Sequence, residues 1–106
     1  MLVFTKMLIY VDIDETICTG SVGTDYATAQ PVADRISKIN DLFDKGHTIV
    51  YWTARGTRTG KNWYRLTEEQ LKDWGAKHDE LRMGKPAYDL FIDDKNISSE
   101  KFFSER

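Results

Sequence analysis

The chain has 106 residues, enough for one compact domain (1–106) and not two. With 41% hydrophobic and 30% charged residues and a net charge of −2, it carries no basic footprint for nucleic acid or an anionic membrane surface. No apolar run approaches membrane-spanning length, and the lone Cys18 excludes an internal disulfide, so a cytoplasmic protein is expected.

The N-terminus lacks the long apolar core and small-residue cleavage site of a signal peptide, and Met7 is an alternative start to Met1. Residues 7–11 form an apolar, β-branched run, the pattern of a buried parallel strand. It delivers Asp12 and Asp14, with Thr16 two residues further on. Carboxylates are costly inside a buried strand, so these aspartates are expected at its C-terminal end. In open α/β sheets that edge is where ligands bind.

Residues 17–30 are rich in Gly, Ser and Thr and lack an apolar period; they read as a flap. A helix is expected from Pro31 at its first position to Gly46 at its C-terminal cap, with Val32, Ile36, Ile39, Leu42 and Phe43 on one face. Residues 47–52 read as a second buried strand, so strand, helix and strand make a right-handed βαβ unit. Thr53, Ala54 and Arg55 then open a glycine- and hydroxyl-rich loop that also carries Arg58 and Lys61.

A second helix is expected over residues 62–74, with a capping-box pattern at Thr67 to Gln70 and a stop at Gly75. Residues 80–82 suit a short edge strand, and Gly84-Lys85-Pro86 a turn. Tyr88 to Ile92 reads as a further parallel strand, ending in Asp93 and Asp94. The tail is polar apart from Ile97, Phe102 and Phe103, which suit a short helix docked on the core.

If these strands are parallel, Asp12, Asp14, Thr53, Asp93 and Asp94 all project from one sheet edge. Several carboxylates so close repel one another unless a hard cation lies among them. Mg²⁺ prefers oxygen ligands and completes its shell with water and substrate phosphate. Lys85 complements a phosphate as a point charge, and the Thr53 hydroxyl with the Thr53–Ala54 backbone can cradle its oxygens. Arg55 and Arg58 are further candidates for substrate contact. The two histidines and one cysteine lack zinc-site spacing.

Asp12-x-Asp14-x-Thr16, Thr53, Lys85 and Asp93-Asp94 resemble, in chain order, the four motifs of the haloacid dehalogenase (HAD) superfamily. The Trp-Thr-Ala-Arg-Gly and Gly-Lys-Pro segments resemble a small capless subgroup, the capsule or sugar-phosphate biosynthesis phosphatases. The resemblance implies a single minimal HAD-like, Rossmann-like three-layer α/β domain with a small parallel sheet and no separate cap. It implies Asp12 as nucleophile, Asp14 as general acid and base, and Thr53 and Lys85 as phosphoryl ligands. Mg²⁺ would be held by Asp12, the Asp14 carbonyl and Asp93, with Asp94 in support. The expected activity is Mg²⁺-dependent hydrolysis of a small-molecule phosphate ester, a sugar or sugar-acid phosphate being favoured. A homo-oligomer would shield a capless site. Two alternatives are a receiver-like phosphoacceptor, whose motif order differs, and a catalytically silent binding module of the same fold.

Overall fold

The computed structural model describes residues 5–21, 23 and 25–104. Met1 as the start, and Val22 and Thr24 of the expected flap, lie outside the described residues. The apolar runs form the expected strands β1 (Leu8–Val11) and β4 (Thr48–Trp52). Between them lie the two-residue strands β2 (Cys18–Thr19) and β3 (Gln30–Pro31) and the helix α1 (Ala33–Asp44). After β4 come α2 (Tyr64–Asp73), β5 (Glu80–Arg82) and α3 (Ser99–Ser104).

β1, β4 and β5 make a parallel sheet in the order β1-β4-β5. Leu8 pairs with Thr48 and Val11 with Tyr51, and on the other side Val50 pairs with Glu80. Side chains alternate across a strand, so Ile9, Val11, Ile49, Tyr51 and Leu81 share one face. They join Ile36, Ile39, Leu42 and Phe43 of α1, together with Leu71 and Trp74, in one core. The two crossovers run in the same direction across the sheet, and both long helices pack on that face. The result is an α/β domain with a small parallel sheet and no separate cap. The opposite face presents Leu8 and Tyr10, 64% and 43% exposed.

Pro31 does not start α1. It pairs with Cys18 in the β2–β3 ribbon, and Val32 precedes the helix. The flap is therefore a small hairpin, with a turn of 3₁₀ helix at Tyr26–Thr28. Gly46 closes α1 as expected, at φ +98°, a conformation that suits glycine. The Thr67–Gln70 pattern does not cap a helix start, because α2 begins at Tyr64 and those side chains point elsewhere.

The largest departure is at Tyr88 to Ile92, which is not a strand and joins neither sheet. Leu90 and Ile92 stand 75% and 86% exposed, and Tyr88 stacks on Phe91 at 5.3 Å between ring centroids. The local sequence favours a strand, but extended backbone needs a partner edge, and the chain does not bring this segment to one. Beyond it α3 docks on α1 as expected: the Lys38 ammonium donates to the Phe102 carbonyl at 2.7 Å, and Arg35 lies 4.7 Å over the Phe103 ring.

Candidate active site

Beyond β1 the backbone makes a tight turn. The Ile13 carbonyl accepts from the Thr16 and Ile17 N–H groups, and Glu15 adopts a left-handed φ of 60°. Ile13 and Ile17 are fully buried, which anchors the turn and leaves Asp12, Asp14 and Thr16 partly exposed on its outer side. The Thr16 hydroxyl donates to Asp12 Oδ2 at 3.2 Å, and Lys85 Nζ lies 3.2 Å from Asp12 Oδ1. Both oxygens of the expected nucleophile are therefore held, one by a near neighbour in the same turn and the other by a residue far along the chain.

Lys85 reaches Asp12 because the Lys85 N–H donates to the Thr53 carbonyl at 3.0 Å, and the Thr53 N–H to the Arg82 carbonyl, also at 3.0 Å. These bonds fix the segment after β5 against the end of β4. Burial disfavours the charge on Lys85, but Asp12 and the Tyr88 hydroxyl outweigh it, so its pKa is raised above the ordinary lysine value. Thr53 is buried, and its hydroxyl accepts from the Arg55 N–H at 3.1 Å. Ala54 follows it in the same turn, whose closing bond runs from the Thr57 N–H to the Ala54 carbonyl.

Arg55, expected to contact substrate, is instead 2% exposed. Its guanidinium grips Asp14 with two bonds, Nε to Oδ2 at 2.9 Å and Nη2 to Oδ1 at 2.8 Å. Its remaining nitrogen, Nη1, donates to the Thr67 hydroxyl and to Gln70 Oε1. The Tyr26 ring covers it from the flap at 4.8 Å, and Gln70 in turn donates to the Tyr26 carbonyl. Such a fork fixes the plane of the carboxylate, which a lysine cannot do. Thr67, Gln70 and Tyr26 were not anticipated as site residues. The Thr-x-x-Gln spacing was the available signal, read as a helix cap. Arg58 is exposed on the loop surface.

Cys18 lies behind Asp14, with Sγ 3.5 Å from Oδ1. Burial and, next, the Asp14 charge push the thiol up to about 12. A hollow of about 140 Å³ opens between Arg55, Gly56, Trp63, Met83 and Gly84. The chain crosses itself closely beside it: a Cβ on Gly56 would meet the Lys61 carbonyl oxygen at 2.1 Å, and φ there is +83°.

Asp93 and Asp94 are not brought to this cluster. They sit in an exposed turn, where Asn96 donates to the Asp93 carbonyl and Lys95 pairs with Asp94 at 3.2 Å. Among the described residues no group of three or more His, Cys, Asp or Glu is placed to hold a metal ion. Among the described residues no helix is long and apolar enough to cross a membrane.

A crystal structure of an MCSG target from Vibrio cholerae has a similar fold, with a TM-score of 0.83 and 26% sequence identity over 96% of this chain and 90% of that one. No family model matches the chain, and no curated protein matches it.

Proposed function

We propose that the chain is a cytoplasmic phosphomonoester hydrolase that acts on a small phosphorylated metabolite through an aspartyl-phosphate. The observation that carries this reading is the setting of Asp12. It lies at the C-terminal edge of a parallel sheet, gripped by the Lys85 ammonium and the Thr16 hydroxyl, with Thr53 at the end of the next strand. A sugar or sugar-acid phosphate is the favoured substrate by family resemblance.

The chemistry follows from these groups. Lys85 attracts a phosphoryl group to the strand end and offsets the charge that makes a carboxylate a poor nucleophile toward phosphate. An Asp12 oxygen bonds to phosphorus, and the phosphorus–ester oxygen bond breaks. The departing oxygen takes a proton from Asp14 and leaves as an alcohol. Water then attacks phosphorus, gives its proton to Asp14 and releases Asp12 and inorganic phosphate. Arg55 holds the Asp14 carboxyl with two bonds, and since Oδ1 also faces the Cys18 thiol, the proton is carried on the remaining lone pair of Oδ2.

The resemblance also implies Mg²⁺, which when bound would neutralise charge on the phosphoryl group and Asp12. The donors of one chain do not fit that ion, because Asp93 and Asp94 lie apart from Asp12 and Asp14.

The test is phosphate release from a panel of phosphorylated metabolites in Mg²⁺ buffer. Asp12→Asn should lower turnover about a thousandfold while the fold is retained. Equal activity in both proteins would place the nucleophile elsewhere, and inactivity of both across the panel would remove the hydrolase reading.

A further inference from the structure

We propose that the hollow between the flap and the loop after β4 is a monosaccharide subsite, in which Asp25, Lys61 and Trp63 select the leaving group of the substrate. The leaving-group role rests on the hydrolase reading; sugar binding itself does not.

Lys61 and Trp63 line two hollows. The larger, about 230 Å³, is bounded also by Asp25 and Thr59, and the smaller, about 140 Å³, reaches Arg55 and Gly84. The smaller one borders the reacting groups. Arg55 grips Asp14, and Gly84 precedes the Lys85 that pairs with Asp12. Steps of 4.8 Å and 5.1 Å lead from the Arg55 guanidinium to the Tyr26 ring and on to the Trp63 ring. An alcohol that takes its proton from Asp14 therefore departs beside these walls.

The chemistry of the walls names the ligand. Among the described residues Lys61 pairs with no carboxylate, and its ammonium lies 4.4 Å over the Trp63 ring instead. Asp25 faces the same hollow without meeting it. Asp25 Oδ1 accepts from the Ala27 N–H at 3.2 Å, and Oδ2 accepts no bond from the described residues. A carboxylate and an ammonium that line one hollow unpaired call for a ligand with donors for the first and acceptors for the second. A hydroxyl group is both, whereas a lone carboxylate or ammonium serves one wall only. The indole beside them suits an apolar ring face. A polyhydroxylated ring meets all three, with hydroxyls around its rim and C–H groups on its faces.

The walls are built before a ligand arrives. The Gly60 N–H donates to the Gly56 carbonyl at 2.8 Å, and the Lys61 N–H to the Thr59 hydroxyl at 3.2 Å. The Thr57 hydroxyl donates to the Lys85 carbonyl at 2.7 Å, which ties the loop to the phosphoryl end of the site. Trp63 stands at the start of α2, with Tyr26 of the flap set edgewise to its ring. Binding therefore orders little backbone, which leaves more of the contact energy for affinity. Concave sites with an aromatic wall and a few placed polar groups are the usual form of small-molecule pockets.

The test is binding of free sugars, followed at the indole N–H of Trp63 in ¹H–¹⁵N spectra, with Trp52 and Trp74 as internal controls. Glucose, mannose, galactose, ribose, arabinose and N-acetylglucosamine are titrated separately at millimolar concentration. At least one should shift the Trp63 signal to saturation and leave those of Trp52 and Trp74 in place. Lys61→Met and Asp25→Asn alter exposed positions, and each should weaken that sugar about tenfold, the loss of one hydrogen bond to a charged group. Silence at Trp63 with all six sugars, or unchanged binding in both variants, overturns the subsite. A shift with adenosine where no sugar gives one also overturns it, in favour of a nucleobase. Phosphate release is then compared between the phosphate ester of that sugar and acetyl phosphate, whose two-carbon leaving group is too short to reach Trp63. The preference for the sugar ester should fall about tenfold in each variant. Sugar binding without phosphate release from any ester leaves the subsite standing and sinks the hydrolase reading. Phosphate release with an unchanged preference in both variants keeps that reading and overturns the leaving-group role.

Discussion

Cys18 is the residue whose titration reads out most directly the packing behind the site. Its thiol is 1% exposed and lies against the Ile13 carbonyl and Asp14. Burial, then the Asp14 charge, raises it to about 12 from an ordinary value of 9.0. A raised acid favours the fold only while it stays protonated. Its contribution is therefore complete below pH 9 and is lost as pH climbs from there toward the folded value. Between pH 8 and pH 10.5 wild type should lose about 2 kcal/mol more stability than Cys18→Ala, each pH unit in that window costing ~1.4 kcal/mol. Burial raises Tyr51 with the same sign, but Tyr51 is present in both proteins and cancels in the comparison. Urea melts at the two pH values check this, and parallel pH profiles would show that the thiol is not shielded.

At the scale of elements, Arg55 joins the end of β1, the loop after β4, the start of α2 and the flap through one guanidinium. Breaking a buried pair leaves its partner uncompensated, so Arg55→Gln should cost about 3 kcal/mol. Arg55→Lys keeps the charge and should cost less, about 2 kcal/mol, since it cannot bond Asp14, Thr67 and Gln70 together. Urea midpoints of the two variants give the order, and a larger loss for Arg55→Lys would contradict it. Sequence pattern resolved the elements themselves well, because β1, β4, α1 and α2 carry clear apolar periods. It placed Asp12, Asp14 and Thr53 on one sheet edge for the same reason. It misread Arg55, since a basic residue in a glycine-rich loop looks the same whether solvated or folded inward on a carboxylate. It misread Tyr88 to Ile92 for a different reason: alternation reports a taste for extended backbone and says nothing about which edge is within reach.

The whole molecule is elongated for its length, with extents of 50 × 31 × 23 Å and a radius of gyration of 14.1 Å, against about 13 Å expected for a compact chain of this size. A single chain buries a modest core on one face of three short strands, and it leaves Leu8, Tyr10, Leu90 and Ile92 in water. Small domains gain little from burial, so the stability of this fold rests on the core that α1 and α2 make with one face of the sheet. Ile92 is 86% exposed and lies outside that core, so Ile92→Asp should change stability by less than about 0.5 kcal/mol. Ile49 is fully buried within it, and Ile49→Ala should cost about 3 kcal/mol. Urea midpoints of the two variants measure both, and a loss from Ile92→Asp as large as that from Ile49→Ala would show that the exposed segment is covered in solution.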